Sequence, residues 1–138
     1  MSHKTEDEIL NIVRAFENGT IKRADWRHAE HLTVAVYYAF HHDFDQALIK
    51  MRGGIFKLLR CFEIDLSKEM PYHETLTVFW MRTIFDLLER ENGDSSIVTA
   101  NKISEMCSDK DLPLKFYSRE RLFSEEARKN YLSPDLQS

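Results

Sequence analysis

The chain has 138 residues, of which 43% are hydrophobic, and a formal net charge of -4 at pH 7. We expect a single domain over residues 1–138 that buries its core without disulfide bonds, and the two cysteines favour the reducing cytoplasm. The acidic balance argues against nucleic acid as a partner, and since no apolar stretch approaches the roughly 20 residues of a membrane helix, we expect no membrane partner and no signal peptide.

Capping signals and helical periodicity dominate the first part of the chain. Thr5 and Glu8 form a capping box, and the apolar residues that follow at helical spacing predict a first helix from about residue 6 to residue 18. Asp25 is a suitable N-cap for a second helix, which is expected to end before the polar residues 41–43.

Two further helices complete a predicted four-helix core. Asp43 caps the third, and Gly53-Gly54 inside its apolar stripe predicts either a kink or a close approach of another backbone. Pro71 precedes the fourth helix, expected over about residues 72–91. Because the loops between helices 1, 2 and 3 are short, neighbouring helices should pack antiparallel. The predicted fold class is therefore all-α, with an up-down-up-down four-helix bundle at its core.

The C-terminal part of the chain is expected to add shorter elements to this bundle. A fifth helix is predicted from residue 95 to residue 106, and Ser124 is the N-cap of a last short helix. Between them, residues 112–123 carry too many large apolar side chains for a free tail, so we predict an ordered, extended C-terminal arm. The arm should cover the end of the bundle where helices 2 and 4 begin, because its apolar surface otherwise stays in water.

Three histidines mark a candidate site at that end of the bundle. At about 100° per residue, His28 and His73 fall on the apolar stripes of helices 2 and 4, while His31 lies at the edge of its stripe. Helices 2 and 4 run parallel in the expected topology, so their first turns meet at the same depth. Glu74 lies in one of these turns, and Glu17 reaches the same end from the last turn of helix 1.

The residue types at this end indicate a metal-dependent enzyme. Imidazoles and carboxylates are suitable ligands for Zn²⁺, Fe²⁺ or Mn²⁺, so we predict a divalent metal held by His28, His31 and His73. The metal would activate water or dioxygen, as in a hydrolase or an oxygenase, and would act on a small-molecule substrate. Glu74 or Glu17 is then the candidate general base.

Aromatic and basic residues near the histidines are candidates for substrate binding. Trp26 and Tyr72 each precede a histidine by one or two residues and are placed to wall a pocket. Arg119 is expected to be the arm residue nearest to the histidines and to bind an anionic group. In the simpler interpretation, the aromatics are packing staples and Arg119 forms a surface ion pair.

Two other functions are left open by the sequence. A histidine on an apolar face is often a hydrogen-bonded core residue, in which case the protein is a non-enzymatic binding or oligomerisation module, for example a homodimer. The second alternative is a metal-free pocket for a small anion, bound by His73 and Arg119 at helix N-termini.

Several of these stretches together resemble a family of small bacterial proteins known as conserved hypothetical proteins. The likeness covers most of the chain, and its pieces are Phe16-Glu17, Trp26-Arg27-His28-Ala29-Glu30-His31-Leu32, Tyr72-His73-Glu74-Thr75, Tyr117 through Phe123 and Pro134-Asp135-Leu136. The resemblance implies that His28, His31, His73, Glu74 and Arg119 occupy motif positions of the family. The family has no established activity, so the resemblance implies no reaction.

Overall fold

The computed structural model describes residues 4–68, 71–91 and 97–137. These residues form seven α-helices and two 3₁₀ turns and contain no β-strand, which confirms the all-α prediction. The helices are α1 (Glu6–Asn18), α2 (His28–His41), α3 (Phe44–Cys61), α4 (Glu74–Arg90), α5 (Ile97–Met106), α6 (Arg119–Leu122) and α7 (Glu125–Lys129), and the 3₁₀ turns are Arg23–Asp25 and Leu112–Lys115. The predicted start of the fifth helix, residue 95, lies outside the described residues. No helix within these ranges is both long enough and apolar enough to cross a membrane.

Capping residues set the ends of α1 and α3 as the sequence predicts. The Thr5 side chain accepts the Glu8 backbone N–H, and the Glu8 carboxylate accepts that of Thr5, so α1 begins with the expected capping box. Gly19, at φ 71°, ends α1 in a left-handed conformation that glycine adopts without strain. Asp43 caps α3 by accepting the Gln46 backbone N–H at 2.8 Å.

The start of α2 differs from the prediction. Asp25 ends a 3₁₀ turn and does not cap α2, which begins only at His28. Between them, the ring of Trp26 stacks on that of Phe16 in α1, with centroids 5.0 Å apart, and the backbone is extended at Arg27. The packing of Trp26 on α1 therefore delays the helix and places His28 in its first turn.

Helix α2 is the centre of the bundle. It contacts α1, α3, α4 and α5, and five consecutive residues from Leu32 to Val36 are buried. A helix at the surface buries only one stripe, so this run indicates that neighbours surround α2. Helix α5 therefore belongs to the core and is not an appendage of it.

Helices α1 and α3 approach each other closely at Gly54. A Cβ atom at this position would lie 2.2 Å from ring carbons of the buried Phe16, whereas one at Gly53 would meet nothing within 4 Å. Helix α3 runs unbroken through both glycines. One of the two predicted alternatives was a close approach of another backbone; the structure shows a close approach, but of the Phe16 side chain.

The C-terminal arm packs along α4 and is ordered, as predicted. A second apolar cluster joins Phe79 of α4 to Tyr117 and Leu122 of the arm. The backbone of residues 112–123 is largely helical where an extended segment was expected, because Ser118 caps a short helix with its side chain. Ser124 caps the last short helix, as predicted. The arm therefore consists of a 3₁₀ turn and α6, and α7 follows it.

Candidate functional site

A cavity of about 360 Å³ lies between α2, α3 and α4, beside the first turns of α2 and α4. We call it the histidine cavity, because His28, His31 and His73 all line it. Trp26 and Tyr72, the two aromatic residues predicted to wall a pocket, line it as well. The structure thus brings the three histidines and both aromatics together at one end of the bundle.

The rest of the cavity wall is mostly apolar. Its other lining residues are Arg27, Leu32, Ala35, Met51, Ile55, Pro71, Leu76, Thr77, Trp80, Met81 and Lys110. Both tryptophans of the chain, Trp26 and Trp80, therefore face this cavity. Trp80 was not among the predicted site residues, although it lies two helical turns after His73 and so on the same helical face.

His28 ties the start of α2 to the end of α5. Its Nε2 atom lies 2.9 Å from the carbonyl oxygen of Cys107. Because a carbonyl oxygen only accepts hydrogen bonds, Nε2 carries the hydrogen and donates it. The ring also packs at a tilt against Trp80, with centroids 4.9 Å apart. The role of His28 in the fold is thus to join two segments that are distant in sequence.

His73 uses both ring nitrogens to hold the fold. Nε2 donates to the carbonyl oxygen of Leu122 at 2.6 Å, while Nδ1 accepts the Leu76 backbone N–H at 3.1 Å. The second bond makes His73 the N-cap of α4, which therefore begins at Glu74, slightly later than predicted. Burial lowers the pKa of His73, and the positive charge of Arg128 acts in the same direction. The ring is therefore neutral at pH 7.

His31 differs from the other two histidines, because no hydrogen bond to its ring is found among the described residues. The ring packs at a tilt against Trp26, with centroids 4.0 Å apart. Burial, and then the charge of the nearby His28, lowers the pKa of His31 to about 4. At pH 7 His31 therefore presents one N–H donor and one acceptor in the cavity wall.

Glu74 pairs with Arg52 of α3 and accepts a hydrogen bond from Tyr72, which lines the cavity. Arg52 donates to both carboxylate oxygens, from Nε at 3.0 Å and from Nη2 at 2.5 Å, and the Tyr72 hydroxyl donates to Oε1. Burial acts to raise the pKa of Glu74, but these hydrogen bonds outweigh it and lower the pKa overall. Glu74 is thus a fixed anion that positions Tyr72. No pattern in the sequence indicated Arg52.

Arg119 lies away from the cavity. It is exposed at the start of α6, because Leu122 of the same short helix turns its side chain toward α4. The arm instead contacts the histidines through its backbone, because the Leu122 carbonyl oxygen accepts a hydrogen bond from Nε2 of His73. Lys110, from the turn before the arm, lines the cavity. The Leu122 contact corrects the prediction that Arg119 is the arm residue nearest to the histidines.

Two of the three predicted metal ligands, and both predicted general bases, are committed to other partners. Within the part of the chain that the structure describes, no three or more His, Cys, Asp or Glu residues are grouped so as to hold a metal ion. His28 and His73 donate to backbone carbonyls, Glu74 is paired on α3, and the Glu17 carboxylate accepts the Tyr38 hydroxyl at 2.7 Å. Metal binding stays a prediction that this arrangement does not support.

Comparisons with family models, with curated proteins and with solved structures find no match for this chain. The resemblance to a bacterial family therefore stays a prediction. One of the stretches that carry it has a clear structural role. Tyr72-His73-Glu74-Thr75 bonds to Arg52 of α3 through Glu74, and the Tyr72 ring packs on Phe56 of α3. The same stretch bonds to the C-terminal segment through His73 and Thr75.

The low pKa of His31 predicts a loss of folding stability in mild acid. The unfolded chain takes up a proton at this residue near pH 6.5, whereas the folded protein takes it up only near pH 4. Above pH 6.5 the ring is neutral in both states and the free energy of unfolding is unaffected. As the pH falls from 6.5 to 4, only the unfolded chain takes up the proton, so the free energy of unfolding decreases. A shift of this size corresponds to a free energy on the order of 3 kcal/mol.

Urea denaturation at pH 7 and at pH 4.5 measures this dependence. His31→Gln keeps a hydrogen-bonding side chain that does not titrate, so it should lose less stability on acidification than the wild type. His41→Gln, at an exposed histidine of the same helix, should retain the wild-type dependence. The same acid sensitivity in His31→Gln and in the wild type would contradict the assignment to His31.

Proposed function

We propose that this protein binds a small molecule with a flat apolar body in the histidine cavity. The observation that supports this most strongly is that three histidines, two tryptophans and a tyrosine line one cavity of about 360 Å³. Ligand pockets span roughly 300–1,000 Å³ and combine apolar and aromatic walls with a few convergent polar groups. The histidine cavity fits this description at the small end of the range, which suits a ligand of one or two rings.

The aromatic walls of the cavity are held in place before any ligand arrives. Trp26 stacks on the buried Phe16. Tyr72 is fixed by the bond from its hydroxyl to Glu74 and by its ring contact with Phe56, at a centroid distance of 4.7 Å. Walls that are already ordered lose little conformational entropy when a flat ligand stacks against them. The fold therefore favours binding of a planar group.

His31 is the histidine that contacts the ligand in this proposal. His28 and His73 already donate to the carbonyls of Cys107 and Leu122, so they act as positioning residues that hold the starts of α2 and α4 around the cavity. The neutral ring of His31 exchanges a hydrogen bond with the ligand without placing an unpaired charge in an apolar wall. The proposal thus combines a binding function with structural histidines.

Binding in the cavity is testable by NMR, because Trp26 and Trp80 both report on it. The probe is 2-naphthamide, a neutral two-ring amide, added to ¹⁵N-labelled protein. We expect the indole N–H cross-peaks of both tryptophans to shift in a saturable way. The absence of any shift at millimolar probe would overturn the proposal.

Two alanines of α2 provide a matched pair of control variants. Ala35 is buried and lines the cavity, whereas Ala29 is exposed on the same helix. Ala35→Leu fills part of the cavity and should weaken probe binding by about tenfold or more. Ala29→Leu adds the same group outside the cavity and should bind the probe like the wild type. Equal binding by both variants would place the probe elsewhere on the protein.

The role of a metal ion is tested in the same titration. For His73 to ligate a metal through Nδ1, it would have to give up the Leu76 N–H and with it the cap of α4. We therefore expect the affinity for 2-naphthamide to be unchanged by EDTA. A loss of binding on chelation, restored by Zn²⁺, Fe²⁺ or Mn²⁺, would favour the metal site that the sequence predicted.

A further inference from the structure

We infer that the ligand of the histidine cavity carries a negative charge, and that its class is a small aromatic carboxylate. The inference rests on the proposed function and adds the charge of the ligand to it. Two cationic side chains, Arg27 and Lys110, line the cavity, and no Asp or Glu of the described residues does. Arg27 pairs with Glu30 at 3.4 Å, so Lys110 is the cation of the lining that has no ion pair among the described residues.

The other polar groups of the lining do not cancel this charge. His31 and His73 are neutral at pH 7, because burial lowers the pKa of each. The first turn of α2 meets the cavity at His28 and contributes the partial positive charge of a helix N-terminus. An anionic ligand is thus the one whose charge complements the lining.

Both cations lie at the rim of the cavity. The side chain of Arg27 is 72% exposed, and Lys110 is exposed in the turn that follows α5. The Nε atom of Arg27 donates to the Glu30 carboxylate at 3.4 Å, so that carboxylate partly offsets the charge of Arg27, while Lys110 has no ion pair among the residues that the structure describes. These groups are available to a carboxylate at the cavity mouth.

The layout of the cavity orients such a ligand. Its ring system lies inside, against Trp26 and Trp80, and its carboxylate stays at the rim beside Lys110 and Arg27. A carboxylate at the rim keeps part of its hydration, whereas a fully buried one would pay a large desolvation penalty. Arg119, which the sequence indicated for an anion, does not line this cavity.

Two probes of the same shape test the charge of the ligand. 2-Naphthoate and 2-naphthamide share one ring system, and only the first is anionic at pH 7. We expect 2-naphthoate to bind about tenfold more tightly at low salt, measured from the indole shifts of Trp26 and Trp80. The difference should shrink at high salt, because charges at the rim are screened.

Single substitutions at the rim separate charge from shape. Lys110→Gln and Arg27→Gln should each weaken 2-naphthoate binding about fivefold and affect 2-naphthamide much less. Lys115→Gln is the matched control, because it removes an exposed lysine that does not line the cavity. Both probes should bind this variant as they bind the wild type.

The outcomes distinguish this inference from the proposed function. If neither probe binds, both fail together. If both probes bind equally and the rim substitutions change neither affinity, the cavity binds small molecules but the inferred carboxylate is overturned. Tighter binding of 2-naphthoate that is lost in Lys110→Gln and retained in Lys115→Gln supports the inference.

Discussion

Gly54→Ala is expected to destabilise the protein by about 3 kcal/mol, while Gly53→Ala is expected to stabilise it by about 1 kcal/mol. A Cβ atom at Gly54 would lie 2.2 Å from two ring carbons of Phe16, which is fully buried. The ring of Phe16 has little room to move, since it packs on the rings of Trp26 and Tyr38, with centroid distances of 5.0 Å and 6.3 Å. A Cβ atom at Gly53 meets nothing within 4 Å, so alanine there only raises helix propensity.

Urea denaturation followed by circular dichroism compares the two variants. Because Phe16 supports Trp26 in the cavity wall, Gly54→Ala should also shift the Trp26 indole cross-peak and weaken binding of 2-naphthamide. Gly53→Ala should leave both unchanged. If both alanine variants are more stable than the wild type, α1 and α3 lie further apart than the structure shows, and the position of Trp26 loses its support.

Thr75→Val is expected to lower the folding stability by about 2 kcal/mol and to loosen the C-terminal arm. Thr75 is fully buried on α4, and its Oγ1 atom lies 2.7 Å from the carbonyl oxygen of Ala127 and 2.9 Å from that of Asn130. The hydroxyl donates its one hydrogen to either carbonyl and accepts the Leu132 N–H at 3.1 Å. Valine has nearly the same shape but no hydroxyl, so it leaves these groups without their partner.

Thr75→Ser is the matched control for this change. It keeps the hydroxyl and loses one methyl group, at a cost of about 1 kcal/mol. In limited proteolysis, we expect residues 112–137 to be cleaved faster in Thr75→Val than in Thr75→Ser or the wild type. Equal resistance in all three would mean that the apolar cluster of Phe79, Tyr117 and Leu122 holds the arm without this hydroxyl.

The positions of the helices were determined largely by local signals in the sequence. N-caps and capping boxes join residues three apart, as at Thr5 and Asp43, so the spacing alone predicted where α1 and α3 begin. The place of the candidate site also followed from the sequence. Periodicity directed His28 and His73 toward the core, and short loops brought the first turns of their helices together.

What these histidines do was decided only by the tertiary structure. An imidazole on an apolar helix face is compatible with a metal ligand or with a hydrogen-bonded core residue. The choice depends on the carbonyls of Cys107 and Leu122, which lie 79 and 49 residues away from their histidines. Arg52 and Lys110 likewise reach the site from distant segments. Partners that are brought together by packing leave no pattern in local spacing, so the sequence predicted where the histidines lie and the packing decided their hydrogen-bond partners.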